Sequence, residues 1–458
     1  MRLPVPLAAE IAAARAAGRL SRLAGAGGGT TVPGKLLWKL DPGAIDRLAA
    51  RLPLGSALVS ATNGKTTTAA MAASILRSRR RVAHNHSGAN LVSGVASTLL
   101  EARGAELGLF EVDEAALPEL ARRLRPRALC LGNLFRDQLD RYGELEHVAE
   151  RWRAAVRELD PDAALVVNGD DPQVGDLARE RPDAVVFGLD DPRHARPSLQ
   201  HAADSKYCVR CGTPYTYAAP YVGHLGDYRC PACGHSRPPL AVRARDVELG
   251  GLDSVAFRLE LPDGSWRVRL RVPGLYNVYN ALAAAALARA LGATPEEIVV
   301  GLERFDAAFG RFERIVVGDR GLLMLLIKNP AGANEAVRTI VDGDAPTNAV
   351  IALNDGIADG RDVSWIWDVD FEPLVPGLRR LVATGDRAAE LALRFKYGGL
   401  GADEIEVEPS LERALDRGLE LTPPGGELVV LPTYTAMLAL RKIVSERGFV
   451  RPYWDRAA

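Results

Sequence analysis

The stretch Ala57-Leu-Val-Ser-Ala-Thr-Asn-Gly-Lys-Thr-Thr-Thr68 runs from an apolar strand through a polar turn into the start of a helix. That layout is a phosphate-binding loop. Backbone N–H groups over Asn63–Thr67, at the turn and the helix N-terminus, cradle phosphate oxygens. Gly64 lets the backbone come close, Lys65 supplies charge, and the Thr66 hydroxyl is a ligand for magnesium. The fit to G-x-x-x-x-G-K-[ST] is incomplete, because Val59 stands where the first glycine is expected. The flanking strand and helix carry the reading, which predicts ATP binding.

Outward from the loop, short apolar strands alternate with helical stretches from about residue 40 to 200. Ala57–Ser60, Leu107–Glu111, Ala128–Leu131 and Ala164–Asn168 read as buried strands of a parallel sheet. Two acidic segments, Leu109-Phe-Glu-Val-Asp-Glu114 and Asn133-Leu-Phe-Arg-Asp-Gln-Leu-Asp140, follow strands whose C-termini converge on the crevice where the loop opens. Glu111 and Asp137 are thus placed to reach magnesium or substrate, with helix capping as the alternative. Further on, Val247–Val272 alternates like antiparallel strands and Asn277–Leu291 is an alanine-rich helix. A second α/β unit has strand candidates at Leu322–Ile327, Ala349–Leu353, Arg380–Ala383 and Glu427–Leu431.

Between about 200 and 238 the pattern collapses into Tyr, Gly, His and Cys. Cys208-x-x-Cys211 and Cys230-x-x-Cys233 stand eighteen residues apart, and each pair is followed by glycine. Four thiolates at this spacing read as a zinc ribbon with a closed, structural Zn2+ site, with a redox pair as the alternative. The fifth cysteine, Cys130, sits in an apolar strand without a histidine nearby and reads as a core thiol.

Composition sets the outer limits. With 57 basic and 58 acidic side chains the net charge is -1, which excludes the basic field of a nucleic-acid binder. No apolar run reaches the roughly 18–20 residues of a membrane span, and Met1–Leu20 has no signal-peptide core. A cytoplasmic protein is expected. The first helix, with Arg2, Arg15, Arg19 and Arg22 against Glu10, either touches an anionic membrane surface from the inner face or packs on the next domain.

The ordered set Ala61-Thr-Asn-Gly-Lys-Thr-Thr-Thr68, Asn168-Gly-Asp-Asp-Pro172, Gly274-Leu-Tyr-Asn-Val-Tyr-Asn280 and Gly310-Arg-Phe-Glu313 resembles the motifs of the Mur ligases. These enzymes join an amine to a carboxylate through an acyl phosphate. The cysteine insert, His84-Asn-His-Ser-Gly-Ala-Asn90 and Asn354-Asp-Gly-Ile-Ala-Asp-Gly-Arg-Asp-Val-Ser-Trp-Ile-Trp-Asp368 are similar to the amidating branch of that family. Its members pair with a GatD-like glutaminase and convert the D-glutamate of lipid II to D-isoglutamine.

The resemblance implies a fold: an α/β Mur ligase-type P-loop ATP-binding domain over 40–305 with the ribbon inserted, then a Rossmann-like α/β domain over 306–458. Residues 1–39 form a helix and Gly-rich linker. It also implies roles. Lys65 and Thr66 hold triphosphate and Mg2+, Glu111 is the second magnesium contact, Asn280 faces the adenine, and Arg311 reaches the nucleotide from the hinge. Two departures stand out: Ala61 replaces a common glycine, and Val363-Ser-Trp replaces the lysine-arginine-proline stretch of amino-acid-adding members.

Release of ammonia from glutamine needs a cysteine activated by histidine, which this chain lacks, so the glutaminase is expected on a separate subunit. By resemblance, an aspartate of the chain completes the partner's Cys–His pair. Asp362 is the expected one, while Asp355 and Asp359 in the same loop, and a plain helix cap, remain alternatives. Rival functions are an amino-acid-adding ligase of the Mur or folylpolyglutamate synthase kind, and a nucleotide-regulated zinc-ribbon binding module.

Overall fold

The structure is a computed structural model that describes residues 11–16, 18, 31–85, 89–137, 145–201, 203–306, 312–343 and 348–450. The strand leading into the loop, β1 (Ser56–Ser60), lies inside a nine-stranded sheet. Along the chain follow β2 (Val82–His84), β3 (Leu107–Glu111), β4 (Ala128–Leu131), β5 (Ala164–Asn168) and β6 (Val185–Leu189). A separate hairpin comes next, β7 (Thr216–Val222) and β8 (Leu225–Arg229), and then β9 (Val242–Gly250), β10 (Ser254–Leu261) and β11 (Gly264–Leu270). The sheet order is β11-β10-β9-β6-β5-β4-β1-β3-β2. From β2 to β9 all neighbours are parallel, while β10 and β11 pair antiparallel at the far edge.

A parallel sheet must be covered on both faces, which is why β1, β3 and β4 are buried along their whole length and mainly apolar, with Ser56 and Ser60 in β1 and Glu111 in β3 the polar exceptions. Helices Lys65–Leu76 and Leu275–Ala290 cover one face; Val92–Glu101, Leu117–Leu124 and Leu145–Arg157 cover the other. The run Ala281–Ala288 is buried between strands and helix Lys65–Leu76, with six alanines where the elements approach closely and Leu282 and Leu287 filling the wider gaps. Enlarging one of these alanines would overpack the core at about 1–3 kcal/mol.

Because β6 and β9 are parallel neighbours, no tight turn can join them. Their long crossover carries the cysteine segment and the hairpin β7–β8. A second, six-stranded sheet holds β12 (Phe312–Val317), β13 (Arg320–Leu325), β14 (Asn348–Ala352), β15 (Arg380–Thr384), β16 (Ile405–Val407) and β17 (Glu427–Pro432), in the order β12-β13-β17-β14-β15-β16. Only β12 is antiparallel. Helices Pro330–Val341 and Ala388–Tyr397 pack on one face, Leu411–Leu421 and Tyr434–Glu446 on the other.

One expectation changes. The glycine-rich linker was expected to run to residue 39, but Val32–Leu40 is a helix packed on Val92–Glu101, with Gly34 N–H donating to Ser97 Oγ at 2.9 Å. Earlier in the chain, Ile11 and Ala14 are buried in the same core, so this part of the first helix packs on the domain.

Candidate functional site

From the end of β1 the chain turns through Ala61–Gly64 into helix Lys65–Leu76. Gly64 has φ 85°, and a Cβ there would meet Asn280 Oδ1 at 2.0 Å, so backbone sign and close approach both require glycine. Asn133, just past β4, holds the turn. Its Oδ1 accepts from Asn63 N–H at 2.9 Å, its Nδ2 donates to Asn63 O at 3.0 Å, and its carbonyl accepts from Thr62 N–H at 2.9 Å. Gly64→Ala is expected to remove about 1–3 kcal/mol of stability or displace the loop. A thermal melt and an ATP titration check this, and wild-type values in both would show that the loop relaxes around the methyl group.

Lys65 is buried, and its Nζ donates to Ala61 O at 3.0 Å and Glu114 Oε2 at 3.1 Å. Burial opposes the charge, but the carboxylates of Glu114, Glu111, Asp113 and Asp137 outweigh it and hold the amine above the usual lysine value. Burial likewise works to raise Glu114, and Lys65 and Lys328 overcome it to hold that carboxyl below its usual range.

Glu111, the last residue of β3, is fully buried. Its Oε1 accepts from Thr66 Oγ1 at 2.9 Å, and its Oε2 has no hydrogen-bond partner among the described residues. Asn85 clamps the Glu111 backbone with two bonds of 2.8 Å, and Asn90 Nδ2 lies 3.5 Å from Oε1. These asparagines come from the His84–Asn90 stretch, of which residues 86–88 lie outside the described residues. An orphaned carboxylate oxygen beside a hydroxyl at a helix N-terminus fits a hard, oxygen-liganded cation.

Asp137, read from sequence as a second acid for the metal or substrate, has its Oδ2 paired with Lys328 Nζ from the second unit, while its buried Oδ1 has no hydrogen-bond partner among the described residues. Lys328 and Asn329 are functional-site residues that the sequence reading misses. Asn329 Oδ1 caps helix Pro330–Val341 by accepting from Gly332 N–H at 2.9 Å, and its amide exchanges two hydrogen bonds with the Asn63 amide at 3.0 and 3.2 Å. A signal existed: asparagine directly before proline at the start of a helical stretch is a cap signature.

Between the loop and the second unit lies a cavity of about 100 Å³, bordered by Gly64, Thr67, Tyr276, Tyr279 and Asn280 among others. Asn280 donates from Nδ2 to Asn277 Oδ1 at 3.0 Å and accepts from Thr68 Oγ1 at 3.3 Å. It therefore braces the loop from below while bordering the cavity. Arg311 lies outside the described residues.

In the insert, the four sulfurs of Cys208, Cys211, Cys230 and Cys233 lie within 4.8 Å of one another, with Cys208–Cys233 at 3.6 Å and Cys211–Cys230 at 3.5 Å. Zn–S bonds of about 2.3 Å in a tetrahedron place sulfurs about 3.8 Å apart, so the donor set suits zinc. Asp176 anchors the insert to the domain. It accepts from Arg153 and Arg210 at 2.9 Å, and His235 Nε2 stands 3.1 Å away. Burial opposes its ionisation, but the His235 and Arg210 hydrogen bonds and the Arg153 charge hold it far below the usual carboxylate range.

The three loop aspartates separate cleanly. Asp359 is buried and caps helix Tyr434–Glu446, accepting from Thr435 N–H at 2.8 Å and from the Thr435 hydroxyl. Asp355 is paired with Arg387 at 3.1 Å. Asp362 is exposed; its Oδ1 accepts from Ser364 N–H at 2.9 Å, and bonds from Ser364 hold its carboxyl below the usual range. Cys130 is buried in β4, and burial pushes its thiol up to about 12, which leaves it inert as a nucleophile.

Comparison with known proteins agrees with this geometry. Residues 59–223 match the Mur ligase middle domain family, and residues 326–437 match the MurT ligase C-terminal family. The chain is 35% identical over 438 residues to a Streptococcus pneumoniae protein described as lipid II isoglutaminyl synthase (glutamine-hydrolyzing) subunit MurT, covering 94% of this chain and 95% of that one. The Staphylococcus aureus counterpart is 31% identical over 89% and 91% of the two chains. Among solved structures, a pseudomurein peptide ligase type C from Methanothermus fervidus superposes with a TM-score of 0.68 at 22% identity, covering 88% of this chain and 80% of that one. MurF ligase from Thermotoga maritima in complex with ADP gives 0.63 at 14% identity, covering 90% and 84%. These structures share the fold. With both sheets, the phosphate loop and nearly the full length of its relatives matched, the chain belongs to the MurT family of Mur ligases.

Proposed function

We propose that this chain is the ATP-dependent synthetase subunit that amidates the α-carboxylate of D-glutamate in lipid II, using ammonia from a GatD-like glutaminase bound to it. The observation that carries this is the pair of buried Glu111 and partly exposed Thr66 with its orphaned carboxylate oxygen, set at a helix N-terminus beside a protonated Lys65. The amides of Asn63–Thr67 and the Lys65 amine bind the β- and γ-phosphates. Thr66 and Glu111 would hold Mg2+, which when bound spreads the negative charge of the transferring phosphoryl group.

An oxygen of the substrate carboxylate attacks the γ-phosphorus, the bond to the β,γ-bridging oxygen breaks, and ADP departs. The ammonia lone pair then attacks the carbonyl carbon of the acyl phosphate, phosphate leaves with the bonding pair, and the nitrogen sheds a proton to give the amide. Asn280 borders the cavity that would take the adenine, and Arg311 is the proposed contact from the hinge.

The glutaminase is assigned to a partner because, among the described residues, four cysteines are gathered in one cluster and the fifth is buried and held as a thiol. Asp362 is the proposed contribution to the partner's Cys–His pair. Large exposed apolar side chains lie in and near its loop, Ile357, Trp367 and Tyr397, with the Trp367 and Tyr397 rings 6.0 Å apart. No helix of the described residues is long and apolar enough to cross a membrane; under this reading lipid II is met at the inner membrane surface.

The test is an assay of the chain co-expressed with the glutaminase, given lipid II, ATP, magnesium and glutamine, with mass spectrometry separating carboxylate from amide. Amide formation that requires both ATP and glutamine is expected. Attachment of a free amino acid would instead make the chain an adding ligase.

Cys208, Cys211, Cys230 and Cys233 would hold one structural zinc per chain. Cys230→Ser is expected to lower zinc content to a small fraction and to destabilise the insert, because a segment this small depends on its metal to fold. Elemental analysis showing no zinc in wild-type protein purified without chelator would refute the assignment.

A further inference from the structure

The ribbon hairpin does not end in solvent. Val222 and Leu225, which flank its two-residue turn, are nearly fully buried and border the cavity beside the phosphate loop. At the turn, Gly223 has φ 58° and a Cβ there would meet Phe135 Cε1 at 2.7 Å, so the tip is pressed against that ring. The His224 ring lies 4.6 Å from the Phe135 ring, centroid to centroid. His224 Nε2 stands 3.2 Å from Asp171 Oδ2, which also accepts from Leu134 N–H at 2.8 Å.

Phe135 in turn holds the loop, its N–H donating to Thr62 Oγ1 at 3.1 Å. A second path runs through Asp170, whose carbonyl accepts from Gly226 N–H at 2.9 Å and whose carboxylate accepts from the Tyr279 hydroxyl at 2.6 Å. The Tyr279 ring borders the same cavity. The cavity, about 100 Å³, is several times the roughly 10–15 Å³ that one water needs. Its walls are mainly apolar and aromatic side chains with a few amides, and Lys328 and Glu335 are the charged groups on its border, a lining that suits a flat heteroaromatic ring with polar edge atoms.

We propose that the tip of the ribbon hairpin is a wall of the nucleotide site: Val222 and Leu225 pack on the base, while His224 and Phe135 are positioning residues that fix the outer edge of the phosphate loop. The ribbon is then part of the nucleotide site and not a remote clip. This rests on the reading of the loop as an ATP site.

The test uses the full chain in complex with its glutaminase and measures binding of ATP and of inorganic tripolyphosphate, each with magnesium, by calorimetry. Tripolyphosphate presents the phosphates without a base. Leu225→Trp and Val222→Phe fill the cavity, and each is expected to weaken ATP at least tenfold while leaving tripolyphosphate within twofold. Zinc content reports whether the ribbon is folded. Should the bulky variants lose zinc, Leu225→Ala, which only removes volume, is expected to weaken ATP about threefold with tripolyphosphate unchanged. Unaltered ATP affinity in variants that keep zinc overturns the proposal, and so does equal weakening of both ligands. Lys65→Ala separates the two readings: if it leaves both affinities intact, the loop is not the nucleotide site, whatever the hairpin does.

Discussion

Lys65→Ala is expected to lower ATP-dependent amidation by a factor of about 1,000 or more with either glutamine or free ammonia as nitrogen donor. One donor aimed at charge developing in the transition state is worth about 100–1,000-fold, and loss of ground-state contacts to the triphosphate adds to that. From sequence alone the substitution looks harmless to the fold. The structure says otherwise, because Lys65 neutralises the buried carboxylate of Glu114. Removing one partner of a buried pair costs about 3–5 kcal/mol through the charge left behind.

A double variant, Lys65→Ala with Glu114→Gln, keeps the two effects apart. Its thermal stability should recover toward wild type while its turnover stays lost. Recovery of turnover as well would mean that the lysine serves the core and that phosphate charge is met elsewhere, with Lys328, an amine on the border of the same cavity, the candidate.

Asp362→Asn is expected to separate the two half-reactions. If the carboxylate orients and charges the partner's histidine, an amide in its place cannot stabilise the imidazolium or favour the right tautomer. Glutamine-dependent amidation should then fall by about 1,000- to 10,000-fold. Ammonia-dependent amidation should stay within a few-fold, since the acyl phosphate is attacked by ammonia whatever its source.

The two loop neighbours of Asp362 are engaged elsewhere. Asp359 is committed to the helix Tyr434–Glu446, so Asp359→Asn should disturb folding and lower both activities together. Asp355 is engaged with Arg387. For Asp362, equal loss with both donors would place it in the synthetase site, and equal retention would leave it only its local hydrogen bond from Ser364 N–H at the start of the short helical turn Ser364–Asp368.

By itself the sequence determined the parts of this protein that local pattern encodes. The apolar run into Asn63–Thr67, the paired Cys-x-x-Cys knuckles and the alternation of strands with helices each depend on neighbours a few residues away. Backbone conformation and burial at that range follow from side-chain type. What only the tertiary structure decided lies between segments far apart in the chain. Asn63 and Asn329 are 266 residues apart, and their amide pair exists only because two sheets meet at the loop. The ribbon tip reaches Phe135 because β6 and β9 are parallel neighbours and their crossover must pass over the strand ends. Asp355, Asp359 and Asp362 look equivalent in sequence, and packing alone assigns one to an arginine and one to a helix N-terminus while leaving the third exposed. Residue type offers each group its possible partners; the placement of the two sheets decides which of them comes within hydrogen-bond reach.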